Sequence, residues 1–146
     1  MAILNYSTKI SAGKTVSEIQ EKLGKHGAAS VSVDYEQGQP SAVTFTLQMG
    51  DRWFNFRLPS NVDGVYQEMY RDKAVPRSLK TKEQAQRVAW RVLKDWIEAQ
   101  LAILQSGQAS MPQLFLPCLV LEGGQTLYKA FEEQSVRLIE EGKSIE

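Results

Sequence analysis

A chain of 146 residues, 42% hydrophobic and 23% charged, has the composition of an ordinary globular protein and is long enough to bury a substantial core. One cysteine, Cys118, excludes an intramolecular disulfide and a multi-cysteine zinc site, and one histidine, His26, excludes a histidine-based metal cluster. No apolar run reaches the ~20 residues of a membrane span, and MAILNYSTKI lacks the basic-then-apolar layout of a secretory signal. These features lead us to expect one domain spanning residues 1–146 and a cytoplasmic setting.

Taken in order, Leu4–Ile10 alternates weakly and reads as a first strand. Thr15 and Glu18 have capping-box spacing, and Val16, Ile19 and Leu23 follow at helical intervals, so a short helix should end around Gly24–Gly27. Val31, Val33 and Tyr35 alternate with polar residues, Gln37-Gly38-Gln39-Pro40 is a turn, and Val43, Phe45, Leu47 and Met49 alternate again. Gly50-Asp51 turns the chain into Arg52–Leu58, closed by Pro59. In that last strand Phe54, Phe56 and Leu58 form the core face, leaving Trp53, Asn55 and Arg57 on the other.

Ser60 or Asn61 should cap a short helix running to about Tyr70, weakened by Gly64, and Arg71–Lys80 follows as a basic connector. Thr81–Ser106 is the longest helical pattern, with a capping-box pair (Thr81, Gln84) at its start and Gly107 placed for a left-handed stop. Gln84, Arg87, Arg91, Lys94, Asp95, Glu98 and Gln105 form a narrow polar stripe on it. Apolar residues, Trp90 and Trp96 among them, fill about twice the ~100° arc of a surface helix, which predicts packing on two sides. GQASMP reads as a loop. Gln113–Leu121 is an apolar run, strand or short helix, and Thr126 should cap a last helix with Leu127, Phe131, Val136 and Leu138 as core contacts. The whole reads as α+β: an antiparallel three- to four-stranded meander packed against a long central helix, with further C-terminal helices.

Catalytic signatures are lacking: there is no GxSxG, P-loop, HExxH or GxGxxG. Cys118 sits in the apolar FLPCLVL, a context that makes a thiol inert, and His26 is placed to cap a helix end. Glu132-Glu133 and Glu140-Glu141 are adjacent on a helix and so do not face each other. No cofactor or metal is expected.

The charge pattern is more informative. Residues 1–70 carry six Lys/Arg against seven Asp/Glu, residues 71–94 eight against two, and residues 95–146 three against eight. Such asymmetry marks either a polyanion-binding surface or two segments that neutralise each other. In the first case Arg57, Arg71, Lys73, Arg77, Lys80, Lys82, Arg87 and Arg91 would meet phosphates, with the helix N-terminus at Thr81–Gln84, while Trp53, beside Arg57 and Tyr35, would stack on a base. In the second, Trp53 packs under the C-terminal segments and the arginines pair with Glu132, Glu133, Glu140 or Glu141.

TKEQAQRVAWRVLKDWIEAQLAILQSG, FLPCLVLEGGQTLYKAFEE and NYSTKISAGKTVSEIQEKLGKHGA resemble a family of small bacteriophage, prophage and metagenomic proteins of unknown function, and the likeness extends over nearly the whole chain. The resemblance implies a phage accessory protein in the bacterial host cytoplasm and carries over no site residue. The expected activity is non-enzymatic binding of a phosphate-bearing ligand, either a nucleic acid or a nucleotide-type signal of host immunity. The alternatives are a protein–protein module that self-associates through the long helix or inhibits a host protein, and, third, a metal-dependent hydrolase with dispersed carboxylates.

Overall fold

In the computed structural model, which describes residues 2–134, the three alternating segments pair as an antiparallel meander. β1 (Ser30–Glu36), β2 (Gln39–Met49) and β3 (Arg52–Pro59) lie in the order β1-β2-β3, making the protein α+β. Gln37 and Gly38, with φ of 50° and 78°, form the two-residue turn by themselves, so Gln39 and Pro40 already belong to β2. Register fixes one apolar face: Val31 opposes Phe45, Val33 opposes Val43, and across the next ladder Val43, Phe45 and Leu47 oppose Leu58, Phe56 and Phe54. Of the apolar run Gln113–Leu121, only Leu119 bridges to Phe56 of β3, with the Val120 N–H donating to Asn55 O at 2.8 Å.

Leu4–Ile10 is not a strand. Its carbonyls are claimed by a side chain instead of a ladder: Gln84 Nε2 donates to Tyr6 O and Thr8 O, both at 2.9 Å. α1 (Ala12–Lys25) also starts earlier than the Thr15–Glu18 spacing implies. Ser11 is the cap, accepting from Lys14 N at 3.1 Å, and Thr15 lies one turn inside with its hydroxyl donating back to Ser11 O. α2 (Val62–Arg71) starts at Asn61, whose Oδ1 accepts from Gly64 N at 2.9 Å. Gly64 has a reason to be glycine: a Cβ there would sit 2.7 Å from Asn61 Nδ2.

α3 (Lys82–Gln105) begins at Thr81, which accepts from Gln84 N, and stops before Gly107 in the left-handed region at φ 78°. GQASMP is a loop only as far as Ser110. Ser110 and Gln113 form a reciprocal capping box that starts α4 (Met111–Phe115), and a 3-10 turn, Leu116–Cys118, follows. Residues 127–134 are helical, capped by Thr126 accepting from Lys129 N. Phe131, expected in the core, is 63% exposed; Val136, Leu138, Glu140 and Glu141 lie outside the described residues.

α3 is buried on two sides. Toward the sheet, Trp90, Ile97 and Leu101 pack with α1 (Ile19, Leu23), with Phe45 and Phe56 stacked at 5.2 Å, and with Phe115 edge-on to Phe45 at 5.3 Å. Away from it, Ala85 and Val88 pack with Met69 and Val75 of α2 and the connector. Trp90 is fully buried and donates to Pro40 O at 3.2 Å. Trp96 is only partly covered, 39% exposed and edge-on to Phe115. The opposite face of the sheet, with Ser32, Thr44, Asn55 and Arg57, is uncovered enough to leave Trp53 59% exposed.

Candidate functional site

The polar stripe of α3 faces α1, and most of it is not in water. Gln84 is 3% exposed and Lys94 is 9% exposed. Arg91 Nη1 bonds Glu18 Oε2 at 2.7 Å, Lys94 bonds Glu98 at 2.5 Å with Glu18 at 3.8 Å, and Lys22 reaches Glu98 at 3.3 Å. These pairs holding the carboxylate, Lys94 above all, keep Glu98 below its ordinary pKa. Thus the basic stripe is neutralised largely by α1 and by α3 itself. The contacts also climb both helices together: Arg91 meets Thr15 and Glu18, and Glu98 meets Lys22. The two helices therefore run parallel and begin at the same end of the molecule.

α2 begins there too. An open cleft of about 890 Å³ is lined by Ala12 and Gly13 of α1, Val62 and Asp63 of α2, and Lys82 and Glu83 of α3. Those are the first two residues of each helix. Backbone N–H groups at such positions have no intrahelical acceptor, and they carry the positive end of the helix dipole. Ser11, Asn61 and Thr81 each satisfy the third N–H of their own helix, and Val62 N bonds Ser60 O, which leaves the earlier donors around the cleft. Gly13 adds no bulk: a Cβ there would meet nothing within 4 Å.

Two predicted phosphate contacts, Lys82 and Arg87, line this cleft. Lys82 Nζ is tied to Asp63 Oδ1 at 2.5 Å and lies 5.1 Å from the Tyr66 ring centre. Arg87 is half-buried, and its Nε donates to Gln84 Oε1 at 2.9 Å, which fixes the guanidinium while its terminal amino groups stay available. Glu36, Asp63 and Glu83 also border the cleft, so its charge is mixed. Asp63 and Glu83 sit in the first turns of α2 and α3 and compensate those dipoles; α1 has no acidic residue in its first turn. The uncompensated corner is the start of α1 beside Arg87.

The other predicted contacts lie elsewhere. Arg57 pairs with Asp34 at 3.5 Å and lines a second, shallower hollow of about 590 Å³ with Tyr35 and Pro59. Trp53 is four residues along β3 from Arg57, roughly 14 Å at ~3.4 Å per residue, and lines neither space. On the connector, Arg71 pairs with Glu68, and Lys80 donates to Tyr70 O at 2.9 Å. Lys73 and Arg77 are exposed and have no partner among the described residues. None of these four lines the cleft, and Arg91 is committed to Glu18.

The sequence reading missed Ser11 and Gly13, and it named Asn61 only as a helix cap. Their signal was there, since Ser and Asn are cap residues, but nothing local says that three caps converge. Among the described residues no three His, Cys, Asp or Glu side chains form a group able to hold a metal, and no helix is long and apolar enough to cross a membrane. Burial pushes the half-buried Cys118 thiol up from its ordinary pKa, and His26 Nδ1 is 2.8 Å from Lys22 O at the end of α1. In comparisons with known proteins, no family model, no curated protein and no solved structure matches the chain.

Proposed function

We propose that this protein is a non-enzymatic binder of a small phosphate-bearing molecule, held in the cleft where α1, α2 and α3 begin. The observation that supports the reading is the lining itself: the first two residues of three helices surround one space of about 890 Å³, with Arg87 held beside them by Gln84. Helix N-termini favour anions because free N–H groups and the dipole act together, and a guanidinium matches phosphate geometry. A small molecule fits this arrangement better than a nucleic acid does. The connector cations are spread along the surface away from the cleft, whereas the cleft is bounded by three helix starts and carries carboxylates that would repel a continuous phosphate backbone. As part of the same proposal, and following the family resemblance, the setting is a phage accessory protein in the bacterial cytoplasm that sequesters a nucleotide signal.

Calorimetric titration with inorganic phosphate tests this. One site per chain is expected, with weak salt dependence, in contrast to the steep loss with salt that counterion release imposes on nucleic-acid binding. Arg87→Met should weaken it roughly 10- to 150-fold, because a hydrogen bond to a charged group contributes about 1.5–3 kcal/mol. Absence of saturable binding by the wild-type protein, or equal binding by Arg87→Met, refutes the reading.

A further inference from the structure

The shallow hollow adjoins the cleft. The two spaces share Glu36, Ser41 and Ser60 as a common wall. Between Asp34 and Tyr35 the β1–β2 register shifts, leaving Ser41 as the extra residue of a bulge. A bulge breaks strand alternation and re-aims the side chains around it. Here Tyr35, 64% exposed, borders the same hollow as Asp34 and Arg57, and Asp34 steadies the guanidinium at 3.5 Å. A phenol ring and a planar guanidinium at one hollow form a surface on which an aromatic heterocycle stacks. In the common wall the Ser60 hydroxyl is buried and has no hydrogen-bond partner among the described residues.

We infer that the ligand is a nucleotide, its phosphate at the start of α1 and its base in the hollow between Tyr35 and Arg57, with the sugar crossing the shared wall of Glu36, Ser41 and Ser60. The inference rests on the phosphate reading above, and its test separates the two. Inorganic phosphate, adenosine and adenosine monophosphate are titrated into the full chain and into Tyr35→Ala and Arg57→Gln variants, whose exposed positions leave the core intact. The expected result is that adenosine monophosphate binds the wild-type protein at least tenfold more tightly than phosphate, and that either variant brings it to the phosphate level without changing phosphate affinity. Phosphate binding with no gain from the nucleoside overturns the base compartment and leaves the phosphate reading standing. Failure of phosphate to bind removes both. A gain that survives both variants also overturns the inference, because the base would then sit elsewhere.

Discussion

Gln84 links the fold to the site, and replacing it by Met separates its hydrogen bonding from its bulk. Its amide nitrogen donates to Tyr6 O and Thr8 O at 2.9 Å each, and its oxygen accepts from Arg87 Nε at 2.9 Å. At 3% exposure the side chain has little access to water. Met keeps length, helix propensity and most of the volume, so the loss is three hydrogen bonds of about 1 kcal/mol net each, about 3 kcal/mol together. For a chain of this size, with each kcal/mol worth roughly 2–4 °C, the thermal midpoint should fall by about 6–12 °C. Amides of residues 3–10 should lose exchange protection more than those of β2, since Gln84 is their tether. Gln84→Glu should cost at least as much at neutral pH, because a carboxylate cannot donate to two carbonyls. Phosphate affinity should fall as well, through the freed guanidinium. A Gln84→Met protein within about 0.5 kcal/mol of wild type in urea denaturation would refute the reasoning, since three unpaired groups in a part-buried setting cannot cost so little.

Three further outcomes are expected. Gly64→Ala should give little of the ~1 kcal/mol that leaving glycine normally gains in a helix, because the new Cβ meets Asn61 Nδ2; in an Asn61→Ala background the gain should reappear, and a double-mutant cycle by thermal denaturation measures the coupling. Stability should decline as pH falls through the carboxylate range, because Glu98 is held ionised in the folded state below its ordinary pKa and the unfolded chain takes up the proton first; Glu98→Gln should flatten that limb in pH-dependent urea melts. Cys118 should react slowly with iodoacetamide at pH 8 in the folded protein and rapidly in denaturant, because burial holds the thiol in its protonated form.

The sheet was legible because its residues obey a local rule: Val31, Val33, Val43, Phe45, Leu47, Phe54, Phe56 and Leu58 alternate, and alternation alone fixes which face is buried. The limits of α3 were legible from Thr81 and Gly107 for the same reason. What failed depends on distant partners. Leu4–Ile10 lacks a ladder because it turns at Asn5 and Gln84 takes two of its carbonyls, and no pattern within seven residues signals that. Arg91 and Lys94 could be read as part of an anion-binding surface because nothing in α3 announces that α1 will bring Glu18 against them. Thr15 was a fair cap by spacing, but Ser11 competes for the same role four residues earlier and wins. The cleft is the extreme case. Each cap can be read singly, while their meeting follows from the parallel packing of α1 and α3, which is a property of the assembled chain.

The most direct test of the central claim is a phosphate titration followed by two-dimensional amide NMR of the isotopically labelled full chain. The account predicts that the N–H signals of Ala12, Gly13, Asp63, Lys82 and Glu83 move together and saturate with a single dissociation constant, the two α1 signals moving most. Shifts confined to residues 71–80, growing without saturation and vanishing with added salt, or no shifts at the three helix starts, would contradict it.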